Sequence, residues 1–113
     1  MNSLKNDAYY VNRILEDLRF VQRHMEGISQ DVFSHNEILQ DSMMFRLIQI
    51  SESARKLSDD YRKNHKTIPW TAIFGLRNRL VHDYGSVDYT VIYETLTGDI
   101  PVLVEMLSAD IPS

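Results

Sequence analysis

The chain of 113 residues is long enough for one domain with one modest core, and its 43% apolar and 25% charged residues are ordinary for a soluble globular protein. Four glycines and three prolines are too few for a turn-rich all-β chain, and the lack of cysteine excludes disulfide scaffolds and thiolate metal sites together. The net charge of −4 is uneven: Arg46 to Arg79 carries +5 and the remaining residues −9, so a basic middle can offer a polyanion site on an acidic protein, or form plain solvated helix faces.

The apolar runs are far shorter than a membrane span, and "MNSLKNDAYY" lacks the basic start and apolar stretch of a secretory signal. A cytoplasmic protein without membrane attachment is expected. A first helix is predicted to begin near Asp7. Val11, Ile14, Leu15, Leu18, Val21 and Met25 recur in steps of three and four, and Gly27 can end it. A second helix is predicted to start at a capping box of Ser34 with Glu37. Its apolar stripe runs through Leu39, Met43, Leu47, Ile50, Ala54, Leu57 and Tyr61, and "NHKT" ends it.

Pro69 in "IPW" opens a third helix, because the first turn leaves its amide positions unpaired anyway, and Gly85 suits the stop. A fourth helical segment begins around Val87 with Ile92, Leu96, Ile100, Leu103 and Leu107 on one stripe, kinked or split near Gly98 to Pro101. No repeat or linker divides the chain. The expected fold is all-α: one domain over residues 1–113, a small antiparallel bundle of four main helices.

The third helix carries "LRNRLVHDYG", and its faces can be read from the helical period. Gly75, Asn78 and His82 align, so Asn78 can orient the histidine ring, while Gly75 leaves room for a ligand or another backbone. Phe74, Arg77, Val81 and Tyr84 form a second strip, where the guanidinium of Arg77 needs a partner. Arg77 and His82 are about 140° apart on an ideal helix. A reaching arginine, a distorted helix end or a second copy of the chain would have to bring them together. Their chemistry fits a phosphodiester: arginine stabilises phosphoryl charge and imidazole moves protons near neutral pH. With a ribose 2′-hydroxyl as nucleophile no metal is required, and no cofactor is expected. The bland readings are a helix-end histidine, an ordinary Arg79–Asp83 helical pair and a core-edge Tyr84. The arginine-to-histidine interval recurs at Arg19 and His24, without the following asparagine or tyrosine, and is taken as coincidence. His35 and His65, near helix ends, are expected to face solvent.

The segment "IPWTAIFGLRNRLVHDYGSVDYTVIYETLTGDIPVL" resembles the HepT-like branch of the HEPN superfamily, with its block "IPW…GxRNxxVHxY…VD". Upstream, "RLIQISESARKLS" is similar to that family's "RxLxxIGEAxxxLS", and the similarity runs from about Met43 to Leu107. The resemblance implies a metal-independent endoribonuclease, the toxin of a toxin–antitoxin pair. Arg77 and His82 then match its catalytic arginine and histidine, Asn78 its supporting polar residue. Tyr84 matches the tyrosine to which an MntA-like nucleotidyltransferase antitoxin adds AMP. A homodimer with a composite cleft is also implied. Ser51 departs from the family's glycine and Tyr93 from its tryptophan; neither lies in the motif.

RNA is the expected substrate, with Arg46 and Arg79 as contacts; from charge alone Arg55, Lys56, Arg62 and Lys63 qualify too. The competing readings are a non-catalytic, substrate-presenting partner of a nucleotidyltransferase and a purely structural helical dimer.

Overall fold

Asn6 sets the start of the first helix, its side chain accepting from the Tyr9 amide at 3.1 Å. The computed structural model describes residues 6–82 and 88–109, with only the backbone described for Arg79, Val81 and His82. Helix α1 (Asp7–Met25) ends where Gly27 takes a φ of 73°, a conformation that costs glycine little. All six residues of its expected stripe are buried.

The second helix begins differently from the capping-box expectation. Ser34 is the last residue of a short helix α2 (Gln30–Ser34), and its hydroxyl donates to the Gln30 carbonyl at 2.8 Å. Asn36 caps α3 (Glu37–Arg55) instead, accepting from the Leu39 amide at 3.0 Å. The helix also stops sooner than its stripe suggested. Ser58 accepts from the Tyr61 amide and starts a separate helix α4 (Asp59–Asn64), although Leu57 stays buried. Asp7 ties this corner to the start of α1, accepting from the Ser58 amide at 2.8 Å and from its hydroxyl at 2.7 Å.

Helix α5 (Trp70–His82) follows Pro69, whose carbonyl accepts from the Ile73 amide. The expected stop at Gly85 lies outside the described residues. Asp88 caps α6 (Tyr89–Glu94), and a π-helical turn (Thr95–Asp99) joins it to α7 (Ile100–Ser108). The expected split near Gly98 and Pro101 is therefore a π-turn. The Ile100 amide reaches back to Thr95, and Pro101 offers no amide to continue the ordinary ladder. The hydroxyls of Thr95 and Thr97 donate to the carbonyls of Val91 and Tyr93, at 3.1 and 2.8 Å.

The fold is all-α, with four main helical segments: α1, α3, α5 and the composite α6–α7. Helix α3 packs against both α1 and α5, and α7 packs against α1. Asp17 meets Arg46 and Asp7 meets Ser58, so α1 and α3 are antiparallel; Glu52 meets Arg77 and Arg55 meets Phe74, so α3 and α5 are too. Ile73, Leu76 and Leu80 carry α5 into the core, and Ile92, Leu96, Ile100, Leu103 and Leu107 carry the last segment. Among the described residues no helix is long and apolar enough to cross a membrane.

Tyr93 keeps the packing role of an aromatic and adds a polar end. Its hydroxyl donates to the Ile28 carbonyl at 2.6 Å while its ring lies 5.9 Å from that of Phe33. His65 departs from expectation: it is half-buried, stacks 4.0 Å from Tyr61, and its carbonyl accepts from the Trp70 indole. His35 is exposed as expected.

The two candidate caps separate by mutation. Asn36→Ala is expected to cost about 1 kcal/mol in urea unfolding, and Ser34→Ala less than about 0.5 kcal/mol. The reverse order would put the cap back at Ser34.

Candidate active site

Helix α5 turns Ile73, Leu76 and Leu80 inward, which leaves Arg77 and Asn78 on its outer side. The guanidinium Nε of Arg77 lies 2.6 Å from Oε2 of Glu52 on α3, with the two side chains 42% and 41% exposed. The arginine expected among apolar neighbours has thus found a carboxylate. One carboxylate satisfies at most two of the five guanidinium donors, so donors remain for a second anion.

The α3–α5 contact sets this geometry. Ser51 is fully buried and its hydroxyl donates to the Phe74 carbonyl at 3.2 Å; Arg55 Nη2 donates to the same oxygen at 3.2 Å. Arg55 and Arg62 each hold their guanidinium carbon 5.4 Å from the centre of the Phe74 ring, and Trp70 stacks against it at 6.4 Å. Phe74, one turn before Arg77, is therefore clamped by cations and an indole.

Gly75 opens outward as its sequence position suggested: a Cβ built there would meet nothing within 4 Å. Asn78 is exposed. His82 ends α5, and its side chain, that of Arg79 and the whole of Tyr84 lie outside the described residues. The structure thus brings together Arg77 and Glu52 beside the open surface of Gly75 and Asn78.

Arg46, expected as an RNA contact, sits in the α1–α3 seam. Its Nη1 bonds Oδ1 of Asp17 at 2.8 Å, and its guanidinium lies 3.7 Å over the Phe20 ring. Asp17 is 4% exposed, and its other oxygen has no hydrogen-bond partner among the described residues. Arg46 therefore neutralises a buried charge, whatever else its exposed edge touches. The second arginine-to-histidine pair forms no such cluster among the described residues: the His24 ring lies tilted 4.1 Å from that of Phe20, and Arg19 is exposed.

Glu52 is the residue that sequence reading passed over. A signal was present, since it is the single acid between Asp41 and Asp59, surrounded by Arg46, Arg55 and Lys56. What remained hidden was the pairing of α3 with α5 that aims it at Arg77.

The two ion pairs of α3 are expected to behave differently in urea unfolding. Arg46→Ala strands a buried carboxylate and should cost about 3 kcal/mol. Glu52→Ala breaks a half-exposed pair and should cost less than about 1 kcal/mol. Equal losses would contradict the structural division between them.

The family model described as Ribonuclease HepT-like matches residues 14–109. A protein of Caldanaerobacter subterraneus subsp. tengcongensis named "Putative RNase" is 32% identical over 100 residues, covering 88% of this chain and 89% of its own. One of the same description from Methanocaldococcus jannaschii is 30% identical over 88 residues, covering 78% and 81%. The "Probable ribonuclease HepT" of Thermococcus cleftensis is 28% identical over 94 residues, covering 83% and 86%. No solved structure matches the chain significantly.

Proposed function

The chain belongs to the Ribonuclease HepT-like family, and from that premise we propose that it is a metal-independent endoribonuclease acting as the toxin of a toxin–antitoxin pair. The observation that carries this reading is Arg77, ion-paired through one edge yet exposed beside the open flank of Gly75. An arginine so placed can take a phosphodiester without first leaving a buried site.

In the proposed reaction the ribose 2′-hydroxyl attacks the adjacent phosphorus and gives up its proton to a base. The bond from phosphorus to the 5′-oxygen breaks, and that oxygen takes a proton from an acid. The products are a 2′,3′-cyclic phosphate and a 5′-hydroxyl end. His82 serves as the acid or base, and Arg77 stabilises the charge gathered on the phosphoryl oxygens. Asn78 supports the histidine, and Glu52 positions the guanidinium.

A second copy of the chain completes the cleft, supplying its own Arg77 and His82 across a twofold axis. Two features support this. Arg77 and His82 diverge by about 140° on one regular helix. Ile38 and Phe45, seven residues apart on one face of α3, are also exposed by 84% and 56%. Tyr84 is the point of control: AMP added by an MntA-like nucleotidyltransferase brings bulk and negative charge two residues from His82, which obstructs the cleft and repels RNA.

Purified protein is expected to cleave single-stranded RNA in excess EDTA and to leave 2′,3′-cyclic phosphate ends. His82→Ala should lower the rate by about a hundredfold or more. Equal rates for variant and wild type would remove His82 from the chemistry. If no preparation cleaves RNA while a nucleotidyltransferase with ATP still adds AMP to Tyr84, the substrate-presenting role stands instead.

A further inference from the structure

A second polar site lies at the seam of α1 and α3, sharing one residue with the candidate active site. It is a cleft of about 220 Å³ whose α3 wall is Gln49, Glu52, Ser53 and Lys56, all on one helical face. Arg13 and the paired rings of Tyr9 and Tyr10 form the α1 wall. The tyrosine rings meet edge to face at 5.1 Å, and the Lys56 ammonium lies 5.8 Å from the centre of Tyr10. Neither Arg13 nor Lys56 forms an ion pair with a carboxylate among the described residues. The carboxylate that does line the cleft, Glu52, is engaged by Arg77.

The cleft therefore presents two cations, aromatic surface, an amide and a hydroxyl, and its one acid is neutralised from outside. That combination suits a nucleotide of an unpaired strand, whose phosphate seeks cations and whose base seeks an aromatic face. Its place matters as much as its chemistry. Through Glu52, it begins one side chain away from the arginine assigned to the scissile phosphate.

We propose that this cleft is the binding subsite for an RNA nucleotide flanking the cleaved bond. Arg13 and Lys56 hold its phosphate, Tyr10 supports the base, and Gln49 and Ser53 hydrogen-bond the base or sugar. The inference rests on the ribonuclease reading and assigns the path of the strand along that site.

The test uses a labelled 2′-O-methyl RNA oligonucleotide, which lacks the nucleophile and stays intact, and compares wild type with two charge-matched double variants. Arg13→Gln with Lys56→Gln is expected to weaken binding tenfold or more. It should also lower the salt slope by about 0.7, as the loss of one single-strand phosphate contact requires. Arg19→Gln with Arg23→Gln, at the other end of α1, should bind within twofold of wild type. On unmodified RNA the first variant should lose tenfold or more in kcat/KM, chiefly through KM. Equal losses in both variants, or none in the first, would overturn the subsite. If wild type cleaves RNA and the first variant binds normally, the subsite falls and the ribonuclease reading stands. If wild type fails to cleave but the first variant alone loses binding, the cleft stands as an RNA site and the ribonuclease reading falls.

Discussion

The hydrogen bond from the buried Ser51 hydroxyl to the Phe74 carbonyl fixes the register on which the candidate site depends. Its net energy is modest, about 1 kcal/mol. Its consequence is geometric: a small residue at position 51 lets α3 and α5 approach, and its hydroxyl selects the carbonyl of Phe74. With that register set, Glu52 faces Arg77, and Arg55 reaches the same carbonyl one turn later. The half-exposed ion pair is too weak to impose this arrangement, so the helix crossing holds the pair in place. Ser51, a departure from the resembled family's glycine, thus keeps the close approach and adds a satisfied polar contact.

Helix α3 serves two neighbours with different chemistry. Toward α5 it sends Ser51, Glu52 and Arg55; toward α1 it sends Arg46, which neutralises the buried Asp17. Between these lies the strip of Gln49, Ser53 and Lys56 that lines the second cleft. A displacement of α3 along its axis would disturb both ion pairs together. The core side of the same helix, with Met43, Leu47, Ile50 and Ala54 all buried, resists that displacement by close packing.

Apolar period made α1 readable because every stripe residue faces the core. It misled at the end of α3, where Leu57 and Tyr61 continue the spacing although Ser58 caps a new helix. Burial of a stripe does not require one unbroken helix. At the other end, two capping residues competed within three positions. Asn36 prevailed because its side chain reaches Leu39, while Ser34 finishes the preceding turn. The split at Gly98 to Pro101 was legible from proline chemistry, yet its π form depends on which carbonyl the Ile100 amide finds. For the site, Arg77, Asn78 and Gly75 were visible because all sit on one helix. Glu52 required the pairing of two helices about twenty-five residues apart in the chain, which no local period encodes.

The charge imbalance of the sequence also takes a different meaning in the fold. The basic middle allowed either a local polyanion site or plain solvated helix faces, and among the described residues its arginines are engaged by the protein itself. Arg46 answers Asp17, Arg55 answers the Phe74 carbonyl, Arg62 answers Asp59 and the Leu57 carbonyl, and Arg77 answers Glu52. The lysines Lys56, Lys63 and Lys66 make no ion pair among the described residues. Charge counted along the chain therefore overstates the cations free to displace counterions from a nucleic acid. On the proposed ribonuclease reading, an acidic protein recognises RNA with a few placed cations, and its remaining negative charge disfavours strands lying elsewhere.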